Sequence, residues 1–276
     1  MPRDKLVEDR IHSVWQDPDP ILLQPLQTTQ FVAHNIAITK TLCTRPGEPL
    51  ISESPRTIAI HEALKHFLPG SLRGKTALDL GCLEGGLSFE LWRAGLTVLG
   101  VEGRKDNWQR CLRIRDHFKT AGEMEFVHAD VRDFNPGKSF DVVVCSGLLY
   151  HLDDPAAYIA ALGELTATKG MLYLDTHVAP EDVDMPACEF RTALSSWRSK
   201  TVLDLEILYR EYQEDISLPE SSLNNPISLW MNTASHLELL HRAGFTRVFE
   251  LNGYFGSAEP ALKRRYARRY FVGLKA

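Results

Sequence analysis

Three acidic residues each stand at the end of a predicted strand in the first half of the chain. Asp79 lies in the apolar run Thr76 to Leu80, Glu102 ends the run from Thr97, and Asp130 follows Glu125 to Ala129. The carboxyl ends of parallel strands meet at one edge of a sheet, so these acids are expected to face one ligand. A carboxylate at Glu102 can accept hydrogen bonds from both hydroxyls of a ribose. Asp130 can accept from an exocyclic amine while a nearby backbone N–H donates to a ring nitrogen, a pair that would bind adenine. An ordinary turn residue is the alternative for Asp130, and a solvated strand end is the alternative for Glu102.

The loop after the first strand is rich in glycine. Residues 79 to 86 read Asp-Leu-Gly-Cys-Leu-Glu-Gly-Gly. Gly81 and Gly85 allow the backbone to turn sharply, and the following helix presents unpaired N–H groups to a ligand. The spacing matches neither the G-x-G-x-x-G of dinucleotide sites nor a P-loop, which disfavours a nicotinamide enzyme. A tight connection without a ligand is the alternative interpretation.

A second polar loop follows the fourth predicted strand. It contains Cys145, Tyr150 and His151 and runs to Pro155. His151 is the first candidate for a general base, because imidazole titrates near neutral pH; a packing or capping histidine is the alternative. Tyr150 is a candidate for orienting an acceptor, or else an aromatic residue of the core. His177 follows the fifth strand and is predicted either to contact a substrate or to lie in a surface loop.

The elements that position these residues alternate between strand and helix. Ser54-Pro55 indicates a helix start, with apolar residues at helical spacing up to Leu68. Further strands are predicted at 140–145 and 171–175, and a helix at 155–168. The strands at 245–251 and 269–274 have no helix between them and are expected to pair as an antiparallel hairpin. We predict an α/β, Rossmann-like fold: a seven-stranded, mostly parallel sheet with helices on both faces and an antiparallel last strand.

Two segments lie outside this alternation. Residues 1–53 are predicted to be an N-terminal extension covering the active site of a domain formed by 54–276. Residues 177–232, with a helix predicted at Leu203 to Tyr212, are expected to form a lid over the acceptor. Trp197 and Trp230 are predicted to line that site, with Tyr209 and Tyr212 as further aromatic walls; a small core under the lid is the alternative. The basic residues 263–265 and 268–269 are predicted to be a solvated face, with a phosphate or tRNA contact as the alternative.

Composition limits the class of protein. The chain has 276 residues, 44% hydrophobic and 24% charged, with a formal net charge of −5. The acidic total disfavours a dedicated nucleic-acid binder. Five cysteines without CxxC spacing suggest neither a disulfide framework nor a zinc site, and we expect no metal. The N-terminus does not resemble a signal peptide, and no run of about 18 apolar residues occurs, so we expect a cytoplasmic protein, with a homodimer as one possible assembly.

With these residues in place, the chain resembles the class I S-adenosylmethionine-dependent methyltransferases over residues 55–176 and, by pattern, 233–276. The resemblance implies that the loop from Asp79 through Gly81, Cys82 and Gly85 wraps the methionine part of S-adenosyl-L-methionine. It also implies ribose binding by Glu102, adenine binding by Asp130 and Val131, and an amino-acid contact from the backbone around Cys145. The usual family loop reads D-x-G-C-G-x-G, and Leu83 stands in place of its middle glycine.

The acceptor is the open part of the prediction. We expect methyl transfer to an oxygen or nitrogen of a small metabolite, with a tRNA-modifying methyl- or carboxymethyltransferase as the alternative. The run Leu149 to His151 resembles the carboxymethyltransferase that modifies the tRNA wobble uridine, and the segment from His34 to Thr44 resembles N-terminal segments of related bacterial methyltransferases. A non-catalytic cofactor-binding protein is a third hypothesis.

Overall fold

The computed structural model describes Leu26 and residues 28–179, 193–251 and 267–276. Predictions that concern the first 25 residues, Cys188 and the basic residues 263–265 lie outside these ranges. The chain divides into two compact units, one ending at Phe134 and one beginning at Asn135. Among the described residues, no helix combines the length and the apolar character that crossing a lipid bilayer requires.

Seven strands form one sheet in the order β3-β2-β1-β4-β5-β10-β9, and three more form a separate sheet in the order β6-β7-β8. The strands are β1 (Thr76–Leu80), β2 (Thr97–Glu102), β3 (Met124–His128), β4 (Phe140–Ser146), β5 (Thr166–His177), β6 (Arg198–Val202), β7 (Leu205–Gln213), β8 (Ile227–Met231), β9 (Phe245–Glu250) and β10 (Arg268–Lys275). The helices are α1 (Pro55–Phe67), α2 (Gly86–Arg93), α3 (Lys105–His117), α4 (Pro155–Leu165) and α5 (Thr233–Arg242), with 3-10 turns at Ile51–Glu53 and Leu149–His151. The predicted Rossmann-like α/β class is confirmed.

In the first unit, β1 pairs with β2 and β2 with β3, all parallel. Helix α1 begins as the sequence predicts: the Ser54 hydroxyl accepts from the N–H of Thr57, and Pro55 occupies the first turn. Strand β1 is buried along nearly its whole length, as expected for a parallel strand covered on both faces. Because β1 is buried in the sheet, the position at which the following loop leaves the sheet is fixed.

In the second unit, β4 and β5 run parallel, while β10 is antiparallel to both β5 and β9. The predicted terminal hairpin is therefore confirmed. Helix α4 ends at Leu165, three residues before the predicted end, because the chain from Thr166 joins β5. Strand β10 is almost entirely buried between its two neighbours, which brings its first residue, Arg268, into the interior.

The helix predicted at Leu203 to Tyr212 is wrong. Strands β6 and β7 form an antiparallel hairpin, and β8 adds to β7. The two connecting residues, Leu203 and Asp204, both have positive φ, 50° and 61°. Two left-handed residues in a two-residue loop produce the twist that a tight hairpin needs. Successive side chains of β7 therefore point to opposite faces of a small sheet.

Candidate active site

Asp79 lies at the end of β1 and is buried. Its carboxylate accepts a hydrogen bond of 2.6 Å from the Ser88 hydroxyl on α2. Burial raises the pKa of Asp79 to about 7, and the nearby negative charge of Glu102 acts in the same direction. A positively charged group placed beside Asp79 would lower this pKa and stabilise the ionised carboxylate.

The loop between β1 and α2 has a left-handed backbone at three alternate residues. Gly81, Leu83 and Gly85 have φ values of 66°, 54° and 76°. Leu83 occupies the position where the family loop has its middle glycine, and it adopts a conformation that glycine would accept freely. Leu83 therefore adopts a φ at which glycine would be less strained. The loop can approach a ligand through its backbone, and the residues present fit the methionine part of the cofactor.

Glu102 ends β2 and points its carboxylate at the same loop. One oxygen accepts from the N–H of Leu83 at 2.9 Å, and the other accepts from the N–H of Arg104 at 2.7 Å. Burial raises the pKa of Glu102, and these two hydrogen bonds oppose the rise. The side chain of Asn107 donates a further hydrogen bond to this carboxylate. A carboxylate oriented in this way is the type of acceptor that the hydroxyls of a ribose require.

Asp130 follows β3 and is held by Arg132. The guanidinium contacts both carboxylate oxygens at 2.5 to 3.1 Å, and the backbone N–H of Arg132 donates at 2.9 Å. Hydrogen bonds from Arg132 lower the pKa of Asp130. The carboxylate is therefore ionised and oriented beside Val131. The three N–H donors of Arg132 leave one of its four lone pairs, which is compatible with acceptance from an adenine amine.

The N-terminal segment is bound to the glycine loop by two residues that the sequence did not single out as site residues. Glu84, fully buried, accepts from the backbone N–H groups of Val32, Ala33 and His34 at 2.7, 3.0 and 2.7 Å. His34 in turn accepts at Nδ1 from the N–H of Gly86 at 3.0 Å. Burial lowers the pKa of His34 to about 3, helped by two arginine charges, so its ring is neutral and can accept this bond.

In the second unit, Arg268 joins the residues at the ends of β4 and β5. Its guanidinium donates to both carboxylate oxygens of Asp175 at 3.2 and 3.1 Å and to the hydroxyl of Tyr150 at 3.0 Å. Asp175 also accepts from the hydroxyl of Ser146 at 2.9 Å. The expected solvated arginine face is therefore wrong for Arg268, which is buried in an ion pair. Cys145 precedes this group in β4 and is fully buried.

Two aromatic rings contact this arginine, and the ring of Trp230 packs against both of them. The ring centroid of His177 lies 4.4 Å from that of Tyr150 and 4.2 Å from that of Trp230. Arg268 Nη2 lies 3.2 Å from His177 Nε2. A guanidinium only donates, so Nε2 accepts and the ring proton sits on Nδ1. Three predicted acceptor residues, Tyr150, His177 and Trp230, are thus brought together.

Trp197 does not join these three rings. It precedes β6, is 41% exposed, and lies under the guanidinium of Arg210, whose central carbon is 5.8 Å from its ring centroid. Tyr212, by contrast, packs against Trp230, with 5.7 Å between the two ring centroids. The role of Trp197 in an acceptor site stays a prediction.

His151 ends the 3-10 turn that follows β4 and contacts a carboxylate. Its Nδ1 lies 2.6 and 2.7 Å from the two oxygens of Glu214, which directly follows β7. The sequence offered no signal for this pair, because the partners are 63 residues apart and Glu214 belongs to a segment whose hairpin was predicted as a helix. The contacts of Arg268 could not be predicted for the same reason, because its partners lie 91 to 118 residues away in the sequence.

Comparison with known proteins supports the same class. A family model described as a methyltransferase domain matches residues 54–254. A ubiquinone biosynthesis O-methyltransferase of Aromatoleum aromaticum is 33% identical over 109 residues, covering 38% of this chain and 45% of that protein. A tRNA U34 carboxymethyltransferase of Alteromonas mediterranea is 27% identical over 195 residues, covering 65% of this chain and 58% of that protein. The matches thus span about half the length of these relatives.

Solved structures share the fold. The N-terminal domain of EvdMO1, solved in the presence of S-adenosylhomocysteine and D-fucose, aligns with a TM-score of 0.60 and 21% identity, covering 100% of this chain and 98% of that one. An S-adenosylmethionine-dependent methyltransferase from Mesorhizobium loti aligns with a TM-score of 0.56 and 15% identity over 80% of this chain and 98% of that one. With the family model matching most of the chain, this protein belongs to the class I S-adenosylmethionine-dependent methyltransferases.

Proposed function

We propose that this protein transfers the methyl group of S-adenosylmethionine to an oxygen or nitrogen of a small-molecule acceptor. The observation that carries the choice of a small molecule is the cluster of Tyr150, His177 and Trp230, the first two of which contact Arg268. Aromatic walls with a few fixed polar groups are the usual lining of small-ligand sites. Tyr150 and Trp230 lie in one buried apolar cluster, and His177 and Arg268 add polar groups beside it.

The donor is assigned to residues of the loops described above. The bound sulfonium supplies an electrophilic methyl group, and alignment with the acceptor is what the protein adds. The residues proposed to hold it are Asp79, Gly81, Cys82, Gly85, Glu102, Asp130, Val131 and Cys145. Among these, Glu102 has the strongest geometric support, because two backbone N–H groups fix both of its oxygens.

The acceptor is assigned to Tyr150 and His151. The Tyr150 oxygen accepts from Arg268, so its own O–H remains available to donate to an acceptor atom. His151 is proposed as the base that takes the acceptor proton at Nε2, since Nδ1 faces a carboxylate. In the complete reaction the acceptor forms its bond to the methyl group, the methyl–sulfur bond breaks, and sulfur retains the electron pair.

An oxygen acceptor is the first choice within this proposal. One relative is named as a ubiquinone biosynthesis O-methyltransferase, and one structural neighbour was solved with D-fucose present. The first name gives oxygen as the methylated atom, and the second names a sugar that carries hydroxyl groups. A hydroxyl also needs a base more than an amine does, which matches the position proposed for His151.

Transfer to tRNA is the second candidate. It is favoured by the carboxymethyltransferase match, which extends over 195 residues and thus further than the 109 residues of the ubiquinone relative. The formal net charge of −5 opposes it.

Methyl-labelled S-adenosylmethionine distinguishes the candidates. The protein is incubated with D-fucose, catechol, ethanolamine or bulk tRNA, and the RNA reaction is repeated with a carboxylated donor. We expect label in a small molecule, its loss in His151→Gln, and its retention in His66→Gln, which changes an exposed histidine of α1. Label only in RNA, weakening steeply with salt, would replace the proposal by the second candidate. Donor binding without transfer to any of these, or to a cell extract, would indicate a non-catalytic role.

A further inference from the structure

We propose that Glu214 is the positioning residue of His151 and fixes the imidazole as its Nδ1–H tautomer. This inference rests on the proposed function, in which His151 takes a proton from the acceptor. Both oxygens of Glu214 lie within 2.7 Å of Nδ1. A carboxylate accepts hydrogen bonds and donates none, so Nδ1 carries the ring proton. In the neutral ring the lone pair is then on Nε2, the only nitrogen able to receive a proton.

The carboxylate is itself held in place. Glu214 is buried, and its Oε2 accepts from the backbone N–H of Ser222 at 3.0 Å. Its Oε1 accepts from the hydroxyl of Ser228 in β8. With donors on both oxygens, Glu214 cannot rotate without losing a hydrogen bond. It therefore presents a fixed acceptor to the histidine.

The backbone of His151 is tied to the same segment. The side-chain amide of Asn225 donates to the carbonyl of His151 at 3.1 Å and to that of Ile227 at 2.6 Å. The ring and the main chain of His151 are thus both bound by residues between β7 and the start of β8. The segment predicted to be a lid carries the residues that orient the histidine.

The remaining charged and titratable groups near His151 leave this assignment unchanged. The ring of Tyr150 lies 4.2 Å away, but its hydroxyl is directed to Arg268, which is neutralised by Asp175. Glu214 is the carboxylate in hydrogen-bond contact with the histidine among the described residues. When Nε2 takes the acceptor proton, the imidazolium gains its countercharge from Glu214 and donates to it through Nδ1.

A His151–Glu214 pair with a purely structural role would show the same contacts. The test therefore needs a measurement that reports which ring nitrogen carries the proton. Nitrogen-15 chemical shifts of the imidazole distinguish Nδ1–H from Nε2–H, and His151→Gln identifies the resonances. We expect wild-type His151 to be Nδ1–H when neutral. In Glu214→Gln the side-chain amide can also donate to Nδ1, so we expect a mixture of tautomers. Glu211→Gln is the matched control, because Glu211 lies on β7 and pairs with Arg198 at 3.3 Å near the surface.

Kinetics adds a second, independent signal. On the small-molecule probe that takes up label, Glu214→Gln is expected to lower kcat about 100-fold with KM within about threefold of wild type. Glu214→Asp, which keeps the charge, should recover part of kcat, and Glu211→Gln should change neither constant.

The outcomes separate this inference from the proposed function. A wild-type His151 in the Nε2–H form would overturn the inference even if the enzyme is active, and it requires no variant to fold. A kcat unchanged in Glu214→Gln would also overturn it. An Nδ1–H tautomer that becomes mixed in Glu214→Gln, in a protein that methylates nothing, would retain the positioning role and reject the proposed function instead.

Discussion

Replacing Glu84 by glutamine tests whether one buried carboxylate holds the segment around residues 32–34 against the glycine loop through hydrogen bonds. Glutamine keeps the shape of the side chain but turns one oxygen into an NH2 group. If that group replaces Oε1 it faces the N–H of Val32, and if it replaces Oε2 it faces those of Ala33 and His34. At least one hydrogen bond is therefore replaced by two opposed donors, and the others lose the charge that strengthens them.

The magnitude follows from these contacts. A hydrogen bond to a charged group contributes about 1.5–3 kcal/mol, and one is lost outright while the others weaken. Arg110, 3.4 Å from Glu84, is 18% exposed and keeps part of its hydration, so its loss of a partner adds little. We expect the free energy of unfolding to fall by about 3 kcal/mol, and the melting temperature to fall by about 6–12 °C.

Urea unfolding followed by circular dichroism measures this change, with equal m-values confirming comparable transitions. The control is Glu48→Gln in the same segment, because Glu48 is exposed and 3.7 Å from Arg45; it should cost less than about 1 kcal/mol. If Glu84→Gln unfolds within about 0.5 kcal/mol of wild type, the buried carboxylate does not fasten the segment and the reasoning fails.

Three further predictions concern the same loop. Leu83→Gly should change the unfolding free energy by less than about 1 kcal/mol, because relief of the left-handed strain offsets the added chain entropy, whereas Leu83→Val should be clearly destabilised; equal stability of the two variants would contradict this. Gly86→Ala should lose about 1–3 kcal/mol, since the new Cβ would lie 2.7 Å from His34 Nδ1, and a double-mutant cycle with His34→Ala should show favourable coupling. Because the pKa of Asp79 is raised to about 7 from 3.8, the folded state binds more protons than the unfolded state between these values. Stability should therefore fall as pH rises across that window, by up to about 4 kcal/mol. Asp79→Asn should remove this slope, and an unchanged difference between wild type and variant from pH 5 to pH 8 would refute the assignment.

The part of the fold set by local signals could be predicted from sequence. Strands β1 and β2 have the predicted bounds, and α1 starts at the predicted serine cap. In each case a short apolar run is bounded by glycine, proline or a capping residue, so the physical cause lies within a few residues. The acids at the ends of β1 and β2 were found for the same reason.

The hairpin of β6 and β7 could not be predicted in this way. Leucine, isoleucine and tyrosine between Leu205 and Tyr212 occur at spacings compatible with either a helix or a strand. The deciding feature is the pair of left-handed residues at 203 and 204, and neither is the asparagine or glycine that usually marks such a turn. Tertiary pairing with β8 therefore outweighs the local preference.

The candidate residues of the two units differ in predictability because their side chains are oriented by partners at different distances along the chain. Glu102 is oriented by backbone groups 2 and 19 residues away, so a strand end and a glycine loop suffice to locate it. His151 and Tyr150 are oriented by side chains 63 and 118 residues away, and nothing near them in sequence specifies Glu214 or Arg268. It follows that the acceptor of such a chain is better inferred from the partners of Tyr150 and His151 than from the motif that contains them.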